Sequence, residues 1–302
     1  MKGNVKNLSA SVKDRLYELA VKKRVEFNSV LMQFVHERFL YRLSVSPFRQ
    51  KLILKGAVLF TAYDISNSRV TRDIDFLGHG FRSEEDVVKN IISEICSVGY
   101  PDGLVFDSQK IVTEKIKEND EYSGVRVTIP CSSGSVKTNL KLDIGFGDEI
   151  TGGPVQLEFP VLLDFDPPVL YAYSLETAIA EKFESIVSLG LISSRMKDYY
   201  DISFLAQNHS FNGSILTEAI QKVFTNRQTD LNNHIYIFNH EFMNNKDLQL
   251  MWMTFVKKRK LDIESDFSLI VKNIERFLLP VINSRGAGLI WDNHKREWRT
   301  DG

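Results

Sequence analysis

The chain has 302 residues, of which 43% are hydrophobic and 25% charged, and it carries 20 Phe, 10 Tyr and 3 Trp. These values are those of a globular protein of one or two domains with a large core, and they exclude long disordered stretches. The net charge of −1 excludes a globally basic nucleic-acid binder but allows local basic patches.

The cysteines, the histidines and the apolar runs indicate which kinds of protein and metal site are not expected. Cys96 and Cys131 are too few for a disulfide framework and match no zinc spacing, so we expect free thiols in a reducing cytosol. The six histidines include no close pair, so no histidine-built metal centre is expected. The chain begins without an apolar signal-peptide core, and no apolar run approaches the ~18 residues of a membrane helix. We therefore expect a cytoplasmic protein that does not bind a membrane.

The first half of the chain reads as mixed helix and strand. In chain order, the patterns predict helices over 11–22 and 29–43, a strand over 70–78, a helix over 84–98, and strands over 104–113, 122–130, 138–146 and 155–163. The apolar run KLILKGAVLF at 51–60 fits either a strand or a buried helix, and Gly56 favours a break inside it.

Helical patterns dominate after Pro167-Pro168. They cover 175–189, with Ser174 as its cap, then 196–206, 214–226, 241–259 and 265–282, before a tail from 284 that we expect to be loosely ordered. We therefore expect N-terminal helices over 1–48, an α/β domain over 49–167, a helical domain over 168–283 and a tail over 284–302.

Acidic residues within two strand-like runs are the main functional signal. In a strand, residues two apart point to one face, so Asp73 and Asp75 of the run VTRDIDFLG stand together. Asp143 interrupts a similar run, KLDIGFGD. Carboxylates at close range repel, and a divalent cation removes that cost. Three such carboxylates on neighbouring strands can hold two metal ions for phosphoryl or nucleotidyl transfer. A solvated acidic strand face is the alternative reading.

Several cations and one glycine accompany the acids. Lys182 interrupts the apolar stripe of the helix over 175–189, where it either extends past its neighbours to solvent or binds a triphosphate. Arg195 and Lys197 add positive charge for phosphates. Gly56 fits either a phosphate-binding turn or ordinary packing.

Basic runs lie elsewhere in the chain. They comprise residues 22–24, residues 257–260, and Lys295 and Arg296 with Arg299. Such runs are usually solvated helix ends, but they also suit contact with an RNA backbone.

These segments together resemble the AbiEii/AbiGii-type nucleotidyltransferase toxins, a group that includes the MenT toxins. The matching pieces occur in the family's order and span roughly residues 50–205. They are LKGAVLF at 54–60, RVTRDIDFLG at 69–78, KLDIGFGD at 141–148, YSLETAIAEKFESIVSLG at 173–190 and SRMKDYYDI at 194–202.

The resemblance implies an α+β fold of the DNA polymerase β type, with a mixed nucleotidyltransferase sheet, N-terminal helices and a helical C-terminal domain. It implies the toxin half of a toxin–antitoxin or abortive-infection system that serves in phage defence, with a cognate antitoxin encoded nearby. Family members with an assigned reaction transfer nucleotides from an NTP to the 3′ end of tRNA, which blocks translation.

The resemblance also implies roles for individual residues. Asp73 and Asp75 would be the Mg²⁺-binding pair, for two ions, and Asp143 the third ligand or a general base. Lys182 would bind the triphosphate, and Arg195, Lys197 and Asp198 would complete the nucleotide side, with Asp201 as the alternative to Asp198 for the distal acid. The further nucleotide-binding candidates are Gly56, Ser68, Thr71 and Arg72.

Two details qualify this assignment. Gly56 is followed by Ala57, whereas many nucleotidyltransferases have Gly-Ser or Gly-Gly, so a hydroxyl contact to phosphate is missing unless Ser66 or Ser68 replaces it. Thr71 lies where some relatives carry a Ser or Thr that a kinase-like antitoxin phosphorylates, which we state as a hypothesis.

Three alternatives stay open at the level of sequence. The first is a nucleotidyltransferase that modifies a protein or a small molecule such as an aminoglycoside. The second is a non-catalytic module that binds RNA or a partner, and the third is a metal-dependent nuclease.

Overall fold

A computed structural model describes residues 8–63, 71–119, 122–192, 195–283 and 285–300. The chain forms two compact units. The first contains Met1–Gly147 and Val155–Ala172, and the second contains Asp148–Pro154 and Tyr173–Gly302. Each unit is therefore built from two separate stretches of chain.

The first unit is a mixed sheet with helices. Its elements in the described ranges are α1 (Leu8–Lys23), α2 (Phe27–Ser44), β1 (Leu52–Lys55), α3 (Gly56–Leu59), β2 (Asp73–Gly78), α4 (Glu85–Cys96), β3 (Val105–Phe106), β4 (Val112–Asn119), β5 (Tyr122–Ser133), β6 (Val136–Gly145), β7 (Val155–Glu158) and β8 (Val169–Ala172). The strand order is β3-β5-β6-β2-β1-β8-β7, with β4 paired to β5. The pairs β2–β6 and β1–β8 are parallel, and the other pairs are antiparallel.

The two faces of this sheet differ in polarity. Ile74 and Phe76 of β2 are fully buried, whereas their neighbours Asp73 and Asp75 are only half-buried. Phe39 of α2 lies against Phe76, with ring centroids 6.4 Å apart, so α2 covers the apolar face. The acidic side chains of β2 therefore belong to the opposite face.

The second unit is mainly helical. Its elements in the described part of the chain are α5 (Leu175–Leu189), α6 (Met196–Asn208), β9 (Phe211–Asn212), α7 (Gly213–Asn226), α8 (His234–Ile237), α9 (His240–Met243), α10 (Lys246–Arg259), α11 (Phe267–Ile282), β10 (Leu289–Asp292) and β11 (Glu297–Thr300). The strands β9, β10 and β11 form a small antiparallel sheet with β10 in the centre.

The α+β fold class is confirmed, and several elements agree closely with their predictions. The helix α5 has the predicted bounds, and the Ser174 hydroxyl accepts the backbone N–H of Thr177 as its cap. The run 51–60 contains both of the states that it allowed, because β1 ends at Lys55 and a short helix begins at Gly56. Both cysteines are buried free thiols.

Two strand predictions were too long. The strand predicted over 104–113 is interrupted, because a 3₁₀ turn at Ser108–Lys110 separates β3 from β4. The strand predicted over 155–163 ends at Glu158, two residues before Pro160, which lacks the N–H that a sheet needs. A separate strand, β8, follows the two prolines and was missed.

Two predictions for the second unit were wrong. The helix predicted over 241–259 is two helices, because the Asn245 side chain accepts the N–H groups of Asp247 and Leu248 and starts α10 there. The tail is not loose over 289–300, which forms the hairpin β10–β11. The indole N–H of its buried Trp291 donates to the carbonyl of Ala206 at 2.6 Å.

Candidate active site

Two side-chain hydrogen bonds hold the backbone at the start of β2, where the first of its acids lies. The buried ring of His36 donates from Nε2 to the carbonyl of Arg72, at 3.2 Å. The Thr71 hydroxyl donates to the carbonyl of Asp73, also at 3.2 Å. Burial lowers the pKa of His36 to about 4, although the hydrogen bond to Arg72 acts in the opposite direction. His36 is therefore a neutral donor near pH 7, and it fixes the backbone immediately before Asp73.

The third acid lies beside them on the same face. The parallel pair β2–β6 sets Asp75 opposite Asp143 and Asp73 opposite Lys141. Opposed residues on neighbouring strands point to one face of a sheet. The structure therefore brings Asp73, Asp75 and Asp143 to one face, as the sequence predicted.

Cations flank these acids across the sheet. In the register of the strands, Lys55 of β1 lies opposite Asp75, and Arg126 of β5 lies opposite Asp143. The four side chains form a line across β1, β2, β6 and β5 that we call the charged row. Its two central members are negative and its two outer members positive, so opposite charges are neighbours at both ends.

Arg126 and Asp143 form the tightest contact of the charged row. The Nε and Nη2 atoms of Arg126 donate to the two carboxylate oxygens of Asp143, both at 2.8 Å. These hydrogen bonds raise the pKa of the guanidinium, burial lowers it, and the nearby charges of Asp143 and Asp73 raise it further. Asp143 thus carries a bidentate cation partner already.

Gly56 makes room for Asp75. A Cβ atom on Gly56 would stand 1.9 Å from Oδ2 of Asp75 and 2.8 Å from its Cβ, so no side chain fits there. Gly56 also has φ +69°, a conformation that residues with a Cβ rarely adopt. The glycine at this position is therefore required by the carboxylate that it contacts.

Lys55 is buried beside a second glycine. Its ammonium lies 3.7 Å from the point where a Cβ on Gly145 would stand. Gly145 follows Asp143 by two residues and shares its face of the sheet. Gly145 of β6 thus leaves room for the buried ammonium of Lys55, on the face of the strand that carries Asp143.

A separate cluster in the second unit contains the predicted Lys182. Its ammonium donates to Oδ1 of Asp198 at 3.2 Å and to Oδ2 of Asp201 at 2.6 Å. Arg195, which is half exposed, lies 3.3 Å from the other oxygen of Asp198. We call these four residues the lysine cluster. Asp198 and Asp201 both contact Lys182, so the geometry does not decide which of them is the distal acid. Lys197 lies half-buried on α6, the helix that carries both acids.

A further buried ion network in the second unit was not predicted. Arg227 contacts Asp148, Glu181 and Glu184 at 3.0–3.2 Å. Burial opposes its charge, but the three carboxylates outweigh burial and raise the pKa of the guanidinium. Asp148 ends the motif KLDIGFGD, and its contact shows that this motif contributes to both units.

The donors on the first unit suit a hard divalent cation. Asp73 and Asp75 supply carboxylate oxygens on one face, which Mg²⁺ prefers. Among the residues that the structure describes, no three His, Cys, Asp or Glu side chains are already gathered as a metal-holding group. Asp143 is engaged by Arg126, so as a third ligand it would share its carboxylate with that guanidinium or release it.

The predicted site residues thus fall into two groups. Gly56, Thr71 and Arg72 adjoin the three acids in the first unit, and the lysine cluster lies in the second. Ser68, and Ser66 as its alternative, lie outside the described residues.

Sequence reasoning missed Lys55, Arg126 and His36. Lys55 directly precedes Gly56, and Arg126 alternates with Val125 and Val127 in β5, which is the same signal that identified Asp143.

The comparison with family models identifies the class of this protein. The model of the family described as nucleotidyl transferase AbiEii toxin, Type IV TA system, matches residues 38–273. The match covers most of the chain, so this protein belongs to the AbiEii family of nucleotidyltransferase toxins. The predicted family is confirmed, and membership implies a cognate antitoxin.

Two solved structures resemble this chain distantly. A candidate nucleotidyltransferase from H. pylori is 14% identical, with a TM-score of 0.46, and the match covers 86% of this chain and 97% of the other. JHP933 from Helicobacter pylori is 16% identical, with a TM-score of 0.42, covering 83% and 93%. The comparison with curated proteins finds no match. In the described ranges, no helix is long and apolar enough to cross a membrane.

Proposed function

We propose that this toxin transfers nucleotides from an NTP to the 3′ end of tRNA in a Mg²⁺-dependent reaction in the cytoplasm, and thereby blocks translation. We further propose that its antitoxin is encoded nearby and that the pair acts in phage defence. The observation that carries the proposal is the arrangement of Asp73, Asp75 and Asp143 on one sheet face, with Gly56 shaped to admit Asp75.

The acidic face would hold the metal. Asp73 and Asp75 are the proposed ligands of two Mg²⁺ ions, and Asp143 is the proposed third ligand or general base. Bound Mg²⁺ would supply charge neutralisation and polarisation of the α-phosphate. His36 and Thr71 keep the backbone around Asp73 fixed through their hydrogen bonds, and such prior positioning is the main source of catalysis in phosphoryl transfer.

Cations would hold the triphosphate. Lys182, Arg195 and Lys197 are the proposed phosphate ligands, as the family resemblance implies, and the further nucleotide-binding candidates are Gly56, Ser68, Thr71 and Arg72. Asp198 and Asp201 grip the Lys182 ammonium and so restrict its position. Arg195 is half exposed and can reach an anion while it contacts Asp198.

The RNA acceptor would be bound through charge. The basic residues 257–260 lie at the end of α10 and are mostly exposed. Contacts of such side chains with an RNA backbone weaken as salt rises, because counterions are released on binding. Transfer to tRNA should therefore decline steeply with salt, whereas transfer to a small-molecule acceptor should not.

The test is a labelling reaction with Mg²⁺, total tRNA and each α-labelled NTP in turn. Wild type is compared with Asp73→Asn and Asp75→Asn, and with Glu94→Gln, which alters an exposed acid on α4 of the same unit. We expect label in tRNA with wild type and Glu94→Gln, and none with the other two variants, all four having the same circular dichroism spectrum. Equal labelling by folded Asp73→Asn would refute the assignment of the acids.

The acceptor is tested in the same reaction. Label that appears in a protein or small molecule but never in tRNA would replace the tRNA proposal by the first alternative. Shortened tRNA without label would identify a nuclease. Inactivity with every NTP and acceptor, with toxicity in cells retained by Asp73→Asn, would identify a non-catalytic module.

A further inference from the structure

The contact between Arg126 and Asp143 has consequences for metal binding. Both carboxylate oxygens of Asp143 accept hydrogen bonds from one guanidinium, at 2.8 Å each. The side chain of Arg126 is 34% exposed and that of Asp143 18%, so the pair is accessible from solvent. An accessible pair of this kind can open without unfolding the strands that carry it.

A carboxylate that is already bonded to one cation binds a second cation less tightly. A bidentate guanidinium occupies one of the two lone pairs on each carboxylate oxygen, so a metal must use the remaining ones, next to a second positive charge that repels it at short range. A divalent cation therefore binds Asp143 more tightly when Arg126 moves away. Every such move leaves a guanidinium beside the acids and in need of an anion.

We propose that Arg126 is a positioning residue that competes with the divalent cation for Asp143 and that turns to an NTP phosphate when the cation takes its place. The proposal rests on the proposed function. It makes metal binding and nucleotide binding cooperative, because the phosphate stabilises the displaced guanidinium and the displaced guanidinium frees Asp143. The free enzyme then binds its metal weakly until an NTP is present.

The position of Arg126 in the sheet supports this role. It lies on β5, directly beside β6, and its charge also interacts with Asp73. A guanidinium released from Asp143 therefore remains next to the place where the proposed metals and the phosphates that they bind would lie. Lys55, at the opposite end of the charged row, is buried next to Gly145 and has less freedom to move.

The experiment measures Mn²⁺ binding by electron paramagnetic resonance, with and without a non-hydrolysable NTP analogue. The variant is Arg126→Gln, which removes the charge. The matched control is Arg82→Gln, an exposed arginine whose partner is Glu84. Without nucleotide, we expect Arg126→Gln to bind Mn²⁺ about five- to tenfold more tightly than wild type, the range for a half-exposed charged hydrogen bond. The analogue should tighten Mn²⁺ binding in wild type and in Arg82→Gln, and much less in Arg126→Gln.

Two further variants keep the test decisive. Arg126→Lys retains the charge without the bidentate fork, so we expect it to have an intermediate Mn²⁺ affinity. It also replaces Arg126→Gln in the test if that variant does not fold. In the background of Asp143→Asn, Arg126→Gln should tighten Mn²⁺ binding much less, because only the effect of the Arg126 charge on Asp73 remains. A merely structural arginine would leave Mn²⁺ affinity unchanged or lowered when replaced, and either result would overturn the proposal.

The outcome is separable from that of the proposed function. Tighter Mn²⁺ binding by Arg126→Gln, with no labelling of tRNA by wild type, would retain the inference and reject the acceptor. Labelling of tRNA by wild type, with unchanged Mn²⁺ affinity in Arg126→Gln, would reject only the inference.

Discussion

Removing Lys182 should destabilise the second unit strongly. Its side chain is 12% exposed, and those of Asp198 and Asp201 are 4% and 3% exposed. In Lys182→Met the two buried carboxylates lose a shared cation, and breaking a buried pair in this way costs ~3–5 kcal/mol. Arg195 remains 3.3 Å from Asp198, so we expect the lower end, about 3 kcal/mol.

Urea unfolding followed by tryptophan fluorescence reports this loss of stability from within the second unit. The three tryptophans of the chain, at positions 252, 291 and 298, all belong to the second unit. The matched control is Lys222→Met, which breaks a pair with Glu218 whose side chains are 42% and 54% exposed, and it should cost less than about 0.5 kcal/mol.

Adding Asp201→Asn to Lys182→Met should recover part of the stability, because it removes one of the two stranded charges. Equal unfolding midpoints for Lys182→Met and Lys222→Met would refute the reasoning. Failure of Asp201→Asn to restore any stability would show that lost packing, and not charge, explains the effect.

Three further perturbations test the remaining structure. Gly56→Ala should lower nucleotidyl transfer about a hundredfold in the labelling reaction, because its Cβ would displace the Asp75 carboxylate, and displacements near 1 Å cost that much. The pKa of His36 is lowered to about 4 in the folded protein. Its contribution to the free energy of unfolding is therefore complete above pH 6.5 and falls progressively as the pH drops toward 4. Wild type should therefore lose about 1.6 kcal/mol from this group between pH 6.5 and 5, measured by urea unfolding with circular dichroism, and His36→Gln should not. Trp291→Ala should cost about 3–5 kcal/mol by the same method, because it removes a buried indole and its hydrogen bond to Ala206.

Each of these three predictions would be contradicted by a particular result. Full activity of Gly56→Ala would mean that Asp75 tolerates displacement. The same fall in stability toward pH 5 in His36→Gln and wild type would assign that fall to other groups. A cost for Trp291→Ala no larger than that for Leu250→Ala, at an exposed position on α10, would mean that the hairpin contributes little.

Much of the fold was predictable because its elements follow hydrophobic periodicity. The helix α5 carries both an apolar stripe and a serine cap, and its bounds were predicted correctly. The errors arose where local side-chain hydrogen bonds or short lengths decide the structure. Asn245 ends one helical pattern and begins another by capping, and β8 has only four residues. The hairpin at 289–300 is held by Trp291 against a distant helix, which no local pattern reveals.

The acids of the site were predictable and their partners were not. Asp73, Asp75 and Asp143 stand out because each interrupts an apolar strand, and pairing of β2 with β6 then brings them together. The partners of these acids depend on strand order. Arg126 faces Asp143 because β5 lies beside β6, and Gly56 meets Asp75 because β1 lies beside β2. The roles in nucleotide and metal binding remain predictions.

The division of the chain into interleaved stretches affects how the toxin is made in the cell. A nascent chain that has emerged only as far as residue 147 lacks β8, which pairs with β1 in the finished sheet. The edge of β1 then stays open until residue 172 has left the ribosome. A fragment that starts at residue 173 likewise lacks Asp148, a partner of Arg227. No single cut leaves both units with all of their contacts, so truncation at the apparent boundary should yield insoluble or unstable protein.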